Sequence, residues 1–177
     1  LVVIGRIGQI MSGAIANFAL WITDKANLIA QPILAMIYPY MVMIGLDKGL
    51  SPINLELLSS LGYNAVTGPM AFISNIAVGG SCLAVATSVK NNVARRGMLS
   101  SFGITALCGI TEPAFYGGLL SQPIALGGTA IGAIVGGLIA GFTGLRTFVT
   151  GGCPGWLTLV FFVDPSGDAY YLIVAAI

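Results

Sequence analysis

The stretch GMLSSFGITALCGITEPAFYGGLLSQPIALGGTAIGAIVGGLIAGFTGL, residues 97–145, carries a single charged side chain, Glu112. Crossing the hydrocarbon core of a bilayer takes roughly 17–25 apolar residues in a helix. The run from Pro113 to Leu145 exceeds that length without a charge. Three more windows behave alike, from Ile7 to Thr23, from Ala26 to Leu46 and from Leu57 to Val89. Across the 177 residues only 7% are charged and 56% are hydrophobic, and the mean hydropathy is +0.96. A soluble domain carries about 25% charged residues, so a surface this poor in charge suits lipid and not water. The fold class this predicts is all-α: a polytopic membrane protein with broken and re-entrant helices.

Within the opening stretch, Gly128, Gly132, Gly136, Ala140 and Gly144 recur every fourth residue, with Ala133, Gly137 and Gly141 beside them. Small residues at this spacing let helix backbones approach closely, so the double stripe reads as packing. Further along, Arg146 and Gly151-Gly152-Cys153-Pro154-Gly155 mark a broken segment before the apolar run Trp156 to Val163. Upstream, Val66 to Val89 predicts a spanning helix that ends in Lys90-Asn-Asn-Val-Ala-Arg95-Arg96, with three of the seven basic residues. The positive-inside rule puts this loop, residues 90–97, on the cytoplasmic side.

Val2 to Trp21 and Leu28 to Leu46 predict two further membrane segments. The second contains Pro32 and Pro39, which kink or break a helix unless neighbours satisfy the freed carbonyls. Asp47 to Asn64, with Gly49, Ser51, Pro52, Asn54 and Gly62, reads as an irregular connection. Leu99 to Cys108 is too short to span. Both ends fall inside apolar runs, so an internal fragment of a longer membrane protein is expected, and no signal peptide is inferred from its start.

Several chemistries are excluded early. The chain has no histidine, and Cys82, Cys108 and Cys153 lack C-x-x-C spacing. Neither a metal site of the Cys/His kind nor a phosphohistidine is expected, and no cofactor is implied. A net charge of +1 gives no footprint for nucleic acid.

Glu112 is the exception that asks for a function. A charge at membrane depth costs at least about 2.5–3.5 kcal/mol. Gly109 before it and Pro113 after it predict a break, with Glu112 as the N-cap of a short helix starting at Pro113. There free backbone N–H groups and the helix dipole would stabilise the carboxylate. A carboxylate accepts two hydroxyl donors at once, and broken helices near the midplane are how many transporters build substrate sites. An ion pair with Arg146 or Lys90 is the alternative.

Three motifs, Cys108-Gly-Ile-Thr-Glu-Pro-Ala-Phe-Tyr-Gly117, Gly45-Leu-Asp-Lys-Gly-Leu-Ser-Pro-Ile-Asn54 with Leu61-Gly-Tyr-Asn64, and Ser74-Asn-Ile-Ala-Val-Gly-Gly80, carry a resemblance. Together they resemble the enzyme IIC permease of the bacterial sugar phosphotransferase system, in its glucose/β-glucoside superfamily. The first looks like that family's G-I-T-E-P-[AI]-x-Y-G signature. Order and spacing agree from about residue 40 to 145.

The resemblance implies that residues 1–177 are a fragment of a IIC membrane domain, its C-terminal sugar-binding half, in the bacterial plasma (inner) membrane. It implies a homodimer formed through an N-terminal half absent here, and IIB and IIA domains or proteins as partners. A phosphocysteine on IIB would phosphorylate the bound sugar, a glucoside or glucose-containing disaccharide. This chain carries no phosphoryl donor of its own. Glu112 is carried over as the residue that contacts sugar hydroxyls, and it can also serve as a base. Thr111 and Asn75 are carried over beside it, and Asp47 stands where many relatives of this kind have histidine. Val78 stands where many have glutamine. An ion-coupled secondary transporter or channel, with Glu112 as its proton or cation site, is the competing expectation. A purely structural membrane subunit is a third.

Overall fold

The computed structural model describes residue 17 and residues 20–176. The expected first segment, Val2 to Trp21, lies outside these except for Asn17, Leu20 and Trp21. Among the described residues the chain is helical, and its one β-bridge joins Asn64 to Thr147. A π-helical turn, Ile22–Ala26, leads into α1, Asn27–Met43. A 3-10 turn, Leu46–Leu50, then precedes α2, Ser51–Leu61. The long helix α3 is Thr67–Ser88, α4 is Val93–Leu107 and α5 is Pro123–Thr143. A 3-10 helix, Trp156–Phe162, and α6, Tyr170–Ala176, complete the chain. The segments Asp24–Met43, Thr67–Ser88 and Pro123–Thr143 are long and apolar enough to cross a bilayer.

Four local expectations need correction. α1 runs without a break through Pro32 and Pro39, both buried, with Gly137 packed on the backbone of Pro32. Residues 47–64 are not irregular but mostly helical. Pro52 lies in the first turn of α2, where its missing N–H has no helical partner anyway. Gly62, at φ +77°, ends that helix by donating its N–H to the carbonyl of Leu58. The glycine and proline thus punctuate a helix and do not dissolve it. α4 begins inside the basic run, with the side-chain oxygen of Asn92 accepting from the backbone N–H of Arg95 at 2.9 Å. Arg95 and Arg96 therefore sit in its first turn. The short helix at the signature is Glu112–Ala114, continued by a π-helical turn, Phe115–Leu119. Thr111, not Glu112, occupies the cap position.

The glycine stripes decide how the spanning helices meet. A β-carbon built on Gly137 would lie 2.5 Å from Cα of Pro32, and one on Gly141 would lie 2.9 Å from Cα of Leu28. These two glycines therefore face α1. On the other row, Gly136 abuts Ile73, Gly132 abuts Ala77 and Gly128 abuts Ser81, so that row faces α3. α5 is thus wedged between two helices with a row of small residues for each. Its remaining face carries Ile124, Ile131, Val135 and Phe142, all exposed, as lipid contact requires. Gly79 and Gly103 perform the same task where α3 crosses α4, each virtual β-carbon falling about 3 Å from the other's carbonyl oxygen.

α3 is the centre of the bundle. Met70, Ala71, Phe72 and Ile73 join Ala35, Tyr38, Ala133, Ala140 and Phe162 in one core cluster. Val78, Cys82, Val85 and Ala86 join Leu99, Ala106, Ala114, Phe115 and Leu119 in a second. Val78, which replaces an expected amide, is fully buried in apolar company.

Candidate functional site: a cavity beside two packed chain breaks

Two interruptions in the helical backbone lie against each other. α4 ends at Cys108 and the chain turns at Gly109, which has φ +101°. A β-carbon on Gly109 would sit 2.5 Å from the carbonyl oxygen of Cys153. Conversely, one on Gly155 would sit 2.5 Å from the backbone of Cys108 and Gly109. Only glycine allows this backbone-to-backbone contact. Asn75, about eight residues into α3, pins the junction by donating its amide to the carbonyl of Pro154 at 2.7 Å. At 1.5 Å per residue, this places the two breaks about 12 Å along α3, well inside a spanning helix.

A cavity of about 390 Å³ opens beside the junction. Its wall includes Tyr38, Asp47, Lys48, Ser51, Asn54, Asn64, Thr67, Thr147, Thr150, Gly151, Gly152, Pro154 and Thr158, with Phe72, Phe161 and Phe162 as apolar surface. Hydroxyls, amides and one opposite-charge pair beside aromatic rings make a lining suited to a polar solute with apolar faces.

One corner of that wall is a fixed polar clamp. Asn64 and Thr147 exchange backbone hydrogen bonds of 2.8 and 2.9 Å. The Asn64 side-chain oxygen accepts from the backbone N–H groups of Val66 and Thr67 at the start of α3. Its amide donates to Asn54 and to the hydroxyl of Thr67, which in turn donates to Asn54. Next to it, the guanidinium of Arg146 lies 4.2 Å over the ring of Tyr63. Arg146 is therefore committed to an aromatic face and forms no ion pair with Glu112. Gly62, Tyr63 and Asn64 thus act as one joint between α2, α3 and the segment after α5.

The expected site residues are distributed unevenly. Asp47 lines the cavity with its side chain 11% exposed, and its carboxylate is 2.8 Å from the ammonium of Lys48. Asn75 and Thr111 are buried, at 3% and 2% exposure, and neither is part of the cavity wall. The Oδ1 atom of Asn75 has no hydrogen-bond partner among the described residues. Glu112 is exposed and is not part of the cavity wall, against the expectation of a carboxylate enclosed at depth.

Lys48 was not among the expected site residues, and the structure makes it a focus of charge. Its pKa is raised, first by the hydrogen bond to Asp47 and then by that carboxylate's charge, with Glu112 and Cys153 also acting through space. Both acids of the expected site therefore lie within electrostatic reach of one ammonium. The signal available in the sequence was the Asp47-Lys48 pair itself, standing between two long windows nearly free of charge.

Helices of bilayer length, a glycine-packed bundle and a polar cavity at a backbone break are the architecture of a polytopic membrane protein. The chain is homologous to phosphotransferase-system EIIBC and EIIBCA components and aligns with their IIC part. It is 28% identical over all of its length to the arbutin-, cellobiose- and salicin-specific EIIBC component of Escherichia coli, spanning 36% of that protein. Over 90% of its length it is 28% identical to the β-glucoside-specific EIIBCA component of Bacillus subtilis, spanning 26% of it. Over 78% it is 30% identical to the sucrose-specific EIIBC component of Staphylococcus xylosus, spanning 30% of it. The chain thus covers about a third or less of these relatives' lengths. No family model and no solved structure matches it.

Proposed function

We propose that this chain is the sugar-binding part of a phosphotransferase-system IIC permease, which holds a sugar while a IIB partner phosphorylates it. The observation that carries the reading is similarity over 78–100% of the chain to proteins named for β-glucosides, sucrose and arbutin. A cavity walled by hydroxyls, amides and aromatic faces supports it.

In this reading residues 1–177 form part of one IIC membrane domain. Asp47 accepts sugar hydroxyls directly at the wall, and Glu112, whose charge acts on Lys48 through space, takes part from outside the wall. Asn75 contributes its unpartnered Oδ1 atom as a further acceptor and holds the Pro154 edge of the cavity. Thr111 positions Glu112 by accepting the N–H of Phe115 at its carbonyl, closing the first turn of the signature. The phosphoryl group comes from IIB, itself charged by IIA, so this chain's share of catalysis is positioning.

The basic residues Lys90, Arg95 and Arg96 orient that end of α3 and α4 to the cytoplasm of the bacterial inner membrane. Asn64 and Thr67 then face the outer half, where sugar enters. Two copies pair through segments outside this chain.

The test is uptake by vesicles that contain the intact protein. Accumulation should require phosphoenolpyruvate and IIB, and Glu112→Gln should abolish sugar binding while leaving membrane insertion intact. Uptake driven by an ion gradient alone, or unchanged binding by Glu112→Gln and Glu112→Ala, would overturn the reading.

A further inference from the structure

Asp47, ionised, can only accept hydrogen bonds. A sugar presents hydroxyls that both donate and accept, together with ring and glycosidic oxygens that only accept. A site of carboxylates alone would leave those acceptors unmatched. At the polar clamp the amide of Asn64 and the hydroxyl of Thr67 are already spent on one another and on Asn54, and the remaining wall donors are neutral hydroxyls such as those of Ser51 and Thr150. Lys48 is different. Its ammonium has three donors, of which Asp47 takes one at 2.8 Å. The rest of the group stands at the cavity, on a side chain 81% exposed.

We propose that Asp47 and Lys48 work as one acceptor–donor pair that reads vicinal hydroxyls of a neutral sugar, with Lys48 the specificity-determining member. The inference rests on the sugar-binding reading above and adds a residue and a substrate class to it. The carboxylate takes a hydroxyl proton while the ammonium donates to the neighbouring oxygen. The short Asp47–Lys48 contact fixes their spacing, as vicinal hydroxyls require. The pair carries no net charge, and Glu112 nearby leaves the surroundings negative, so an acidic sugar is disfavoured. Both residues belong to the same 3-10 turn, Leu46–Leu50.

The experiment measures equilibrium binding of radiolabelled methyl β-glucoside, sucrose and glucose to the intact purified protein, with mono-deoxy analogues of the best ligand and its uronic acid. Lys48→Met should weaken the best neutral sugar about ten- to hundredfold, the worth of a hydrogen bond to a charged group. For one deoxy analogue, wild type and Lys48→Met should bind equally, since the hydroxyl that Lys48 reads is gone. Lys48→Arg should restore most of the affinity for the full sugar. Equal loss across the parent sugar and every deoxy analogue would mean a merely structural role and would overturn the proposal. So would unchanged binding by Lys48→Met, or tighter binding of the uronic acid than of the neutral sugar by wild type. If wild type bound none of these sugars, the permease reading itself would fall and this inference with it.

Discussion

The side-chain amide of Asn75 donates to the carbonyl oxygen of Pro154 at 2.7 Å, across 79 residues of chain. This bond fastens the spanning helix α3 to the break at Gly151–Gly155, whose Gly155 in turn packs on the backbone of Cys108 and Gly109. Removing the donor with Asn75→Ala leaves the Pro154 carbonyl without its partner, at a cost of about 1–3 kcal/mol. A lowered melting temperature in detergent, with weaker sugar binding, is the expected result. Asn75→Asp should be at least as damaging, because a carboxylate faces the carbonyl with no proton to give.

Gly109 allows a more local test. Its φ of +101° already disfavours any side chain, and Cys153 fills the space a β-carbon would need. Gly109→Ala should therefore be strongly destabilising, whereas Gly80→Ala should be tolerated, since nothing lies within 4 Å of its virtual β-carbon. Comparing the thermal stability of the two variants separates this contact from a general intolerance of alanine.

The interface of α5 with α1 predicts a size limit. Gly137→Val places a branched side chain against Pro32 and Gln31. Overpacking of this kind costs about 1–3 kcal/mol or forces the helices apart. Gly127→Val, on the same helix with open space around it, should be near neutral. Detergent melting curves check both.

Lys48 carries a pH prediction. Its pKa lies above the ordinary value of 10.5, chiefly through the hydrogen bond to Asp47. A raised lysine pKa contributes stability that is complete below the unfolded value and fades as pH rises through the folded one. The melting-temperature difference between wild type and Lys48→Met should be small for so exposed a group, and constant from about pH 6 to about pH 9. It should shrink only in more alkaline solution. A difference that changes across the neutral range would contradict the pairing.

Much of the architecture was legible because membrane burial writes itself in long charge-free windows. The double row from Gly128 to Gly141 announced close packing from spacing alone, although not that its rows serve two different helices, and Gly144, expected in the same stripe, instead ends α5 at φ +63° with nothing packed against it. Boundaries were less readable where one residue type has two uses. Pro52 and Gly62 signal turns, yet here they start and stop α2; Asn92 signals a loop, yet it caps α4. Asn75 was visible as an amide in an apolar helix, but its partner lies too far along the chain to be inferred from pattern. Glu112 was legible as a chemical oddity. Its exposure was not, because sequence records what surrounds a residue along the chain and says little of what faces it across space. Lys48 escaped notice because an exposed lysine beside an aspartate is ordinary until a cavity opens next to it.

Two glycine rows on one helix also restrict motion. Turning α5 about its axis by a single residue would bring its larger side chains against Ile73 of α3 and Pro32 of α1, where Gly136 and Gly137 now lie, so only one rotational setting meshes with both flanking helices. α1, α3 and α5 are therefore geared as a single block, and in the proposed transport cycle they should move together. On that reading, any relative displacement has to be absorbed where no such gearing exists, outside the contacts that lock these three helices.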